Sequence, residues 1–197
     1  MKCLLCERLC FRVLCAKCLD SIPMYPSLRE VCGVRVYCFF LYDDVDFLMR
    51  TKYYAIGSRI LPLLARSAAI AFFTKIPKEI DFGILHLVGV DDYVRSLYSH
   101  TGIIIREFAK ASKGRMRPIY GQLKAKNPIS YAGKSLEYRQ RHKRNLIFTA
   151  KERNIVIVDD IITTGTSLYE AIQVCQNAGA NVRFCIALCN ARNVVNI

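Results

Sequence analysis

Two adjacent acids followed by a hydroxyl-rich glycine turn are the residues of this sequence best suited to chemistry. Asp159 and Asp160 come directly after the apolar run 155–158, and a Thr-Thr-Gly-Thr-Ser turn occupies positions 163–167. Carboxylates at the carboxyl end of a strand can accept hydrogen bonds from ribose hydroxyls. Glycine lets the backbone approach a ligand, and the free N–H groups at the start of a helix favour a phosphate. The pattern predicts a site for a phosphorylated ribose.

The same residues also have a purely structural interpretation. An Asp-Asp pair can cap a turn, and threonines can form Asx- or ST-turns with no ligand present. The apolar strand, the acids, the glycine turn and a helical pattern occur here in register, which favours the ligand-binding interpretation. The residues predicted to contact the phosphate are Thr163, Thr164, Gly165, Thr166 and Ser167.

Four cysteines near the N-terminus have the spacing of a metal site. Cys3 and Cys6 form one Cys-x-x-Cys pair, and Cys15 and Cys18 form a second pair eight residues later. Two such pairs supply the four thiolates of a structural zinc ion, which would also hold so short a segment in a fold. Cys10 lies between the pairs and could compete as a ligand. A redox role is the alternative for any Cys-x-x-Cys, but the paired spacing favours zinc.

Apolar patterning predicts the elements that position the acids and the turn. Residues 84–90 and 155–158 are almost continuously apolar, as expected of parallel strands covered on both faces. A helical repeat of apolar residues covers 168–175, Gly179 fits a helix C-terminus, and 182–188 returns to strand character. The order strand, helix, strand predicts an α/β fold with a parallel sheet flanked by helices.

The N-terminal half is predicted to contain one strand and one core helix. Residues 34–42 are rich in β-branched and aromatic side chains and predict a strand, and 43–57 are predicted to form a polar, charged connection. Ser58 is predicted to cap a helix that runs through Phe73. The apolar part of this helix is shorter than the roughly 20 residues that a membrane span needs, so we expect it in a protein core.

Composition limits the domain organisation and the partners. The 197 residues are 53% apolar, enough for one main domain and a small appendage. We expect a four-cysteine ribbon over 1–22 and a main domain over 30–197. The net charge of +13 favours polyanions such as nucleic acid, phosphorylated metabolites or an acidic membrane face. The N-terminus lacks a secretion pattern, so we expect a cytoplasmic protein with reduced thiols.

Most of the positive charge lies in the segment 106–153. It holds fourteen Lys or Arg residues against three acids, a net charge of +11, and Tyr120, Tyr131 and Tyr138 lie among them. Cations that follow phosphates and rings that stack on bases suit single-stranded nucleic acid. The alternative is a solvated, mobile basic loop. The densest cluster, and the predicted DNA contact, is Arg139, Arg141, Lys143 and Arg144.

Residues 155–167 resemble the signature of the phosphoribosyltransferase superfamily: four apolar residues, two acids, two apolar residues and a Thr-Thr-Gly-x-Thr/Ser turn. The resemblance implies a type I phosphoribosyltransferase-like sheet and a loop for phosphoribosyl diphosphate (PRPP) with Mg²⁺. Asp159 and Asp160 would then contact the ribose hydroxyls, and residues 163–167 the 5′-phosphate.

A ribbon with two Cys-x-x-Cys pairs joined to a PRPP loop is similar to the ComF (ComFC) family, which is associated with DNA uptake in natural transformation. Residues 49–57 resemble the family's Lys-Tyr-x-x-Gly-like segment, which implies that Lys52 and Tyr53 bind pyrophosphate. The chain departs from the family's Val-Pro strand end at 88–90 and from its Arg-Gly-Phe-Asn-Gln-like stretch at 96–100. No catalytic residue is therefore assigned.

These features predict a PRPP-binding accessory protein of natural transformation that binds single-stranded DNA. Its cofactors would be zinc and magnesium, and its partners would include other competence proteins and a membrane channel for DNA. Contact with such a channel would place it at the inner face of the membrane. The alternative is an active phosphoribosyltransferase that transfers ribose 5-phosphate from PRPP to a nitrogenous acceptor, so the sequence leaves open whether the protein is an enzyme.

Overall fold

The apolar runs of the sequence assemble into one six-stranded sheet. The computed structural model describes residues 1–75, 83–90, 97–127, 129, 137 and 144–191. The sheet consists of β1 (Ser27–Val31), β2 (Val34–Leu41), β3 (Leu85–Gly89), β4 (Met116–Pro118), β7 (Asn154–Ile162) and β8 (Asn181–Asn190), in the order β1-β2-β8-β7-β3-β4. Only β1 runs antiparallel to its neighbour, and the other pairings are parallel. A separate antiparallel pair is formed by β5 (Leu123–Ala125) and β6 (Leu146–Phe148).

Helices cover both faces of this sheet. They are α1 (Ala16–Asp20), α2 (Tyr42–Arg50), a 3-10 turn (Thr51–Tyr53), α3 (Gly57–Lys75), α4 (His100–Ala111) and α5 (Thr166–Asn177). On one face, Val156 and Val158 of β7 pack in a core with side chains of α3 and α4. On the other face, Ile155 and Ile157 pack with α5, because successive side chains of a strand point to opposite faces. The predicted α/β class, with a mostly parallel sheet between helices, is confirmed.

The strand that carries the acids is longer than predicted. It continues past Val158 to Ile162, so Asp159 and Asp160 lie within its last residues. Asp159 is in register with Ala187 of β8, which keeps the acids on the sheet framework. The helix and strand that follow, α5 and β8, confirm the predicted strand-loop-helix-strand unit.

The prediction of a polar connection over 43–57 is wrong. This segment forms α2, the 3-10 turn and the start of α3. Val45, Leu48 and Met49 lie on the buried face of α2, and the acids Asp43 and Asp44 lie in its first turn, where the helix dipole favours them. A short helix with a charged outer face has the composition of a loop, which explains the error.

Ser58 does not cap the helix as predicted. The helix α3 begins at Gly57, and the Ser58 hydroxyl, already inside the first turn, donates a hydrogen bond to the carbonyl of Ala55 at 2.7 Å. Among the described residues, no helix is long and apolar enough to cross a bilayer.

The cysteine-rich segment packs on the main sheet. Lys2 and Leu9 form an antiparallel bridge, and α1 follows. Cys3, Val13 and Leu14 are buried in the same core as the side chains of α3 and α4. The predicted division into 1–22 and 30–197 stays a prediction, and the contact between the two parts is apolar.

Candidate ligand site and metal centre

The acid pair lies at the carboxyl edge of the sheet, where parallel α/β sheets place their ligands. Asp159 is buried, with 9% of its surface exposed, and its Oδ1 accepts a hydrogen bond from the backbone N–H of Asp160 at 2.8 Å. The side chain of Asp160 is about as enclosed, with 15% exposed. Two buried carboxyl groups on adjacent residues cannot both be charged without a nearby cation.

That cation is Lys52, which comes from the 3-10 turn. Its Nζ lies 2.5 Å from Oδ2 of Asp160, and only 11% of the lysine side chain is exposed. Burial alone would raise the pKa of Asp160, but the Lys52 ammonium outweighs burial and holds that pKa below its usual value. Burial also lowers the pKa of Lys52. Contact with the Asp160 carboxylate outweighs this effect, so the lysine pKa is raised overall. The pair is therefore a salt bridge.

Asp159 behaves in the opposite way. Burial, and then the negative charge of Asp160, raise its pKa from 3.8 to about 7, although the Arg144 guanidinium works in the other direction. Near neutral pH the site thus contains one fixed carboxylate and one carboxyl group that exchanges its proton. Such a pair can both accept hydrogen bonds from a ligand and donate one.

The Thr-Thr-Gly turn joins β7 to α5 with an open helix N-terminus. Gly165 has a φ of +85° and is the N-cap, and no side chain caps the helix there. A Cβ at Gly165 would lie 3.1 Å from Cγ2 of Val31, so both the conformation and the close approach favour glycine. The hydroxyls of Thr164 and Thr166 lie 2.9 Å apart. The Thr166 N–H donates to the Thr164 hydroxyl at 3.5 Å. Free N–H groups and hydroxyls at a helix start form a suitable anion site.

Three aromatic residues beside Lys52 complete the site, and two of them were missed in the sequence. The Tyr98 hydroxyl donates to the Lys52 carbonyl at 2.8 Å, and the ring of His100 lies 5.1 Å from that of Tyr98. Tyr53 flanks Lys52 and also contacts His100. Burial lowers the pKa of His100 although Asp160 is near. Nothing in the sequence indicated this cluster, because His100 falls where the chain departs from the ComF-like pattern.

The four cysteines meet as predicted. Their Sγ atoms all lie within 4.8 Å of one another, and those of Cys6 and Cys15 are 3.8 Å apart. A tetrahedral zinc with Zn–S bonds of about 2.3 Å needs sulfurs about 3.8 Å apart, so the donor set fits zinc. Backbone N–H groups of Cys15 and Cys6 lower the pKa of the Cys3 thiol to about 6, whereas hydrogen bonds with Cys15 and Cys6 raise the pKa of the Cys18 thiol to about 12.

Cys10 is not part of this cluster. Its thiol donates instead to the carbonyl of Arg12 at 2.8 Å. The sequence could not exclude Cys10, because its spacing from Cys6 is also compatible with chelation.

The basic segment is partly built into regular structure. Its first half, 106–127, contributes to α4, β4 and β5, and Arg144 begins the approach to β6 on the side of Asp159. The other three predicted DNA contacts, Arg139, Arg141 and Lys143, lie outside the described residues. The same is true of Tyr131 and Tyr138. The positive charge of Arg144 thus acts on Asp159, which its position in the sequence did not indicate.

The chain is 29% identical over 130 residues to an adenine phosphoribosyltransferase of Bdellovibrio bacteriovorus, a match that covers 66% of this chain and 73% of that protein. The chain is similar to phosphoribosyltransferases. Two crystal structures of a hypoxanthine phosphoribosyltransferase from Staphylococcus aureus match with TM-scores of 0.42 and 0.40 and identities of 11% and 12%. Each match covers 69% of this chain and 68% of the other. No family model matches the chain.

The similarity to a protein named as a phosphoribosyltransferase covers about two thirds of the chain. The narrower resemblance to the ComF family is not confirmed by it, and the roles of the individual site residues stay predictions.

Proposed function

We propose that this protein binds PRPP and acts as an accessory protein of natural transformation that handles single-stranded DNA. One observation carries the PRPP part. The buried acids Asp159 and Asp160 end a central strand, and an uncapped helix N-terminus with a left-handed glycine follows within six residues. Acids suit the ribose hydroxyls and the loop suits a phosphate, so one ligand that has both groups would satisfy the site.

Each part of PRPP would meet a different part of the site. The ribose hydroxyls would bind Asp159 and Asp160, and the 5′-phosphate would bind the loop 163–167. Lys52 and Tyr53 adjoin the acids on the other side and would meet the diphosphate. Lys52 would then exchange part of its contact with Asp160 for the diphosphate, while Mg²⁺ would neutralise the remaining charge.

The DNA part rests on charge and on the ComF-like organisation of the chain. The segment 106–153 has a net charge of +11, and in its described part the ring of Tyr120 is 49% exposed. Cations with an exposed ring between them suit single strands. Zinc in the four-cysteine cluster would fix the ribbon against the main core, and a channel for DNA and other competence proteins would be the partners.

Titration of the protein with PRPP and Mg²⁺ by calorimetry tests the ligand. We expect binding by the native chain and loss of at least about tenfold in affinity in the Asp159→Ala, Asp160→Ala double variant, since each lost hydrogen-bonding group contributes on the order of 1 kcal/mol. Asp43 and Asp44 form a matched control, because they are also adjacent acids but lie exposed on α2. Equal affinities in the native chain and the site variant would refute the assignment.

An active phosphoribosyltransferase is the second candidate, favoured by the relative named adenine phosphoribosyltransferase. In that reaction the bond from C1 of the ribose to the pyrophosphate breaks, and a new bond forms to a nitrogen of the acceptor. The charged Asp160 would stabilise the positive charge that develops at C1. Release of pyrophosphate from PRPP, measured with adenine and a panel of other bases and amines, distinguishes the two candidates. Acceptor-dependent release makes the protein an enzyme, and its absence with intact PRPP binding favours the accessory role.

A further inference from the structure

The antiparallel edge strand β1 reaches the start of the phosphate loop. Nη1 of Arg29 donates to the carbonyl of Thr163 at 2.9 Å and to Oδ1 of Asn190 at 3.2 Å. Arg29 and Thr163 are 134 residues apart in the sequence, so nothing in the loop itself indicates the contact. Thr163 is the first residue after β7, where the regular strand ends.

Asn190 gives Arg29 a fixed position. It is the last residue of β8, only 1% exposed, and in register with Ile162 at the end of β7. The backbone N–H of Ala191 donates to the carbonyl of Ile162 at 2.9 Å, which continues the pairing of the two strands to the loop. The guanidinium thus joins the ends of β7 and β8 at one point.

The contact with the Thr163 carbonyl also orients the next amide. The peptide between Thr163 and Thr164 is trans and planar, so the N–H of Thr164 points opposite to the carbonyl that Arg29 holds. With the carbonyl directed toward β1, the N–H is directed away from β1. The open helix N-terminus of α5 begins two residues later.

A second residue of β1 supports the same side of the loop. Val31 lies on the same face of β1 as Arg29, because the two residues are two positions apart in a strand. Its Cγ2 is 3.1 Å from the position of a Cβ on Gly165. Strand β1 therefore contacts the loop at both Thr163 and Gly165.

We propose that Arg29 is a positioning residue for the 5′-phosphate: it holds the Thr163 carbonyl against β1 and thereby directs the Thr164 amide toward the ligand. This inference rests on the proposed binding of PRPP. The arginine acts through the loop and adds its positive charge behind it, and it leaves the diphosphate end of the site unaffected. The expected consequence is a selective loss of affinity for the phosphate on C5 of the ribose.

The test compares two ligands that use different ends of the site, ribose 5-phosphate and pyrophosphate, by calorimetry. We expect Arg29→Gln to weaken the binding of ribose 5-phosphate by about tenfold, the factor that about 1.4 kcal/mol represents. The affinity for pyrophosphate should stay within about twofold of the native value. Arg29→Lys retains one charged donor and should recover part of the loss. Arg35→Gln is the matched control, because Arg35 lies exposed on the adjacent strand of the same hairpin.

Amide spectra show whether the loop is the cause. In ¹H–¹⁵N spectra of the unliganded protein, Arg29→Gln should shift the Thr164 and Gly165 resonances, and Arg35→Gln should not. Unchanged loop resonances, or equal losses for both ligands, overturn the inference. If Arg29→Gln fails to fold, the same comparison of ribose 5-phosphate and pyrophosphate affinities in Arg29→Lys decides. If the native chain binds neither PRPP nor ribose 5-phosphate, the proposed function itself fails, and that outcome is distinct from a variant without effect.

Discussion

At the scale of single residues, Lys52 sets the protonation of two neighbouring acids, because it forms a salt bridge with one of them. It pairs with Asp160 at 2.5 Å, and Asp159 is left with burial and a neighbouring negative charge. One acid consequently keeps a low pKa and the other takes a pKa of about 7. Two acids with identical chemistry thus differ in protonation because only one of them contacts the lysine.

Replacing Lys52 by methionine should destabilise the fold. Asp160 would remain buried beside Asp159 without its lysine, and loss of one member of a buried pair costs about 3 kcal/mol. Urea denaturation at pH 7 measures the change. Arg50→Met is the control, since its salt bridge with Asp46 is on the surface and contributes about 1 kcal/mol or less. A Lys52→Met variant as stable as Arg50→Met would contradict the buried ion pair.

The raised pKa of Asp159 predicts a pH-dependent stability. The folded state keeps the proton up to about pH 7, whereas the unfolded chain releases it near pH 4. The protonated acid therefore adds stability below pH 4, and this contribution is lost as the pH rises from about 4 to about 7. Urea denaturation across that range should show a decline for the native chain that is smaller in Asp159→Asn. Parallel curves for the two proteins would refute the raised pKa.

At the scale of elements, the turn before α3 positions Lys52. The 3-10 turn follows α2 without a break, and Tyr98 holds it from the opposite side through the carbonyl of Lys52. Gly57, the first residue of α3, allows this approach. A Cβ there would lie 2.2 Å from the Tyr98 hydroxyl oxygen and 2.3 Å from the carbonyl oxygen of Thr51.

Gly57→Ala should therefore disturb the Lys52 turn. We expect destabilisation of about 1–3 kcal/mol, as for other overpacked sites, and weaker binding of PRPP. Thermal unfolding and calorimetry measure the two effects. Ser58→Ala is the control, because Ser58 is exposed and alanine is favoured in helices. If both variants behave like the native protein, the close contact at Gly57 does not position the lysine.

At the scale of the whole molecule, the four-cysteine ribbon and the main sheet share one apolar core. Cys3, a proposed zinc ligand, is itself buried in that core with Val13 and Leu14. Loss of the metal would thus destabilise the main core as well as the ribbon, because these side chains would lose their fixed positions.

Zinc removal tests this coupling. The native chain should contain one equivalent of zinc by elemental analysis, and chelation should lower Tm by at least about 5 °C, which corresponds to roughly 2 kcal/mol in a chain of this length. Cys18→Ser should lose the metal. Cys10→Ser should keep it, because Cys10 lies outside the cluster. Equal zinc contents in the two variants would contradict the four-cysteine site.

Binding of single-stranded DNA should depend on salt and on the basic segment. Each cation that contacts a phosphate contributes a slope of about −0.7 in log K against log salt. Reversal of charge at Arg139, Arg141 and Lys143 should therefore weaken binding and reduce the slope by about 2. Fluorescence anisotropy with a labelled oligonucleotide, at several salt concentrations, measures both quantities.

Two further variants show where DNA and PRPP bind. Reversal of Arg35, Arg59 and Arg66, which are exposed and lie outside the basic segment, should leave the slope nearly unchanged. Arg144→Glu should weaken binding of PRPP more than binding of DNA, because the charge of Arg144 acts on Asp159. DNA affinity that is insensitive to salt, or that survives the triple reversal, would rule out this segment as the DNA surface.

Features built from residues close together in the chain could be predicted from the sequence. The acids, the glycine turn and the helix after it lie within about twenty positions, and the two cysteine pairs lie within sixteen. Local backbone geometry is enough to bring such residues together, and their spacing therefore predicted them. The same local view failed for 43–57, because a short helix with a charged outer face is identified only by what its other face contacts.

The contacts that hold the site and set its charge come from residues far apart in the chain. Lys52 meets Asp160 across 108 residues, Arg29 meets Thr163 across 134, and Arg144 approaches Asp159 from the basic segment. These contacts depend on strand order and on burial, which no local pattern encodes. The pKa values of the two acids follow from the same contacts, since the electrostatics of a buried group are set by whatever the fold brings next to it.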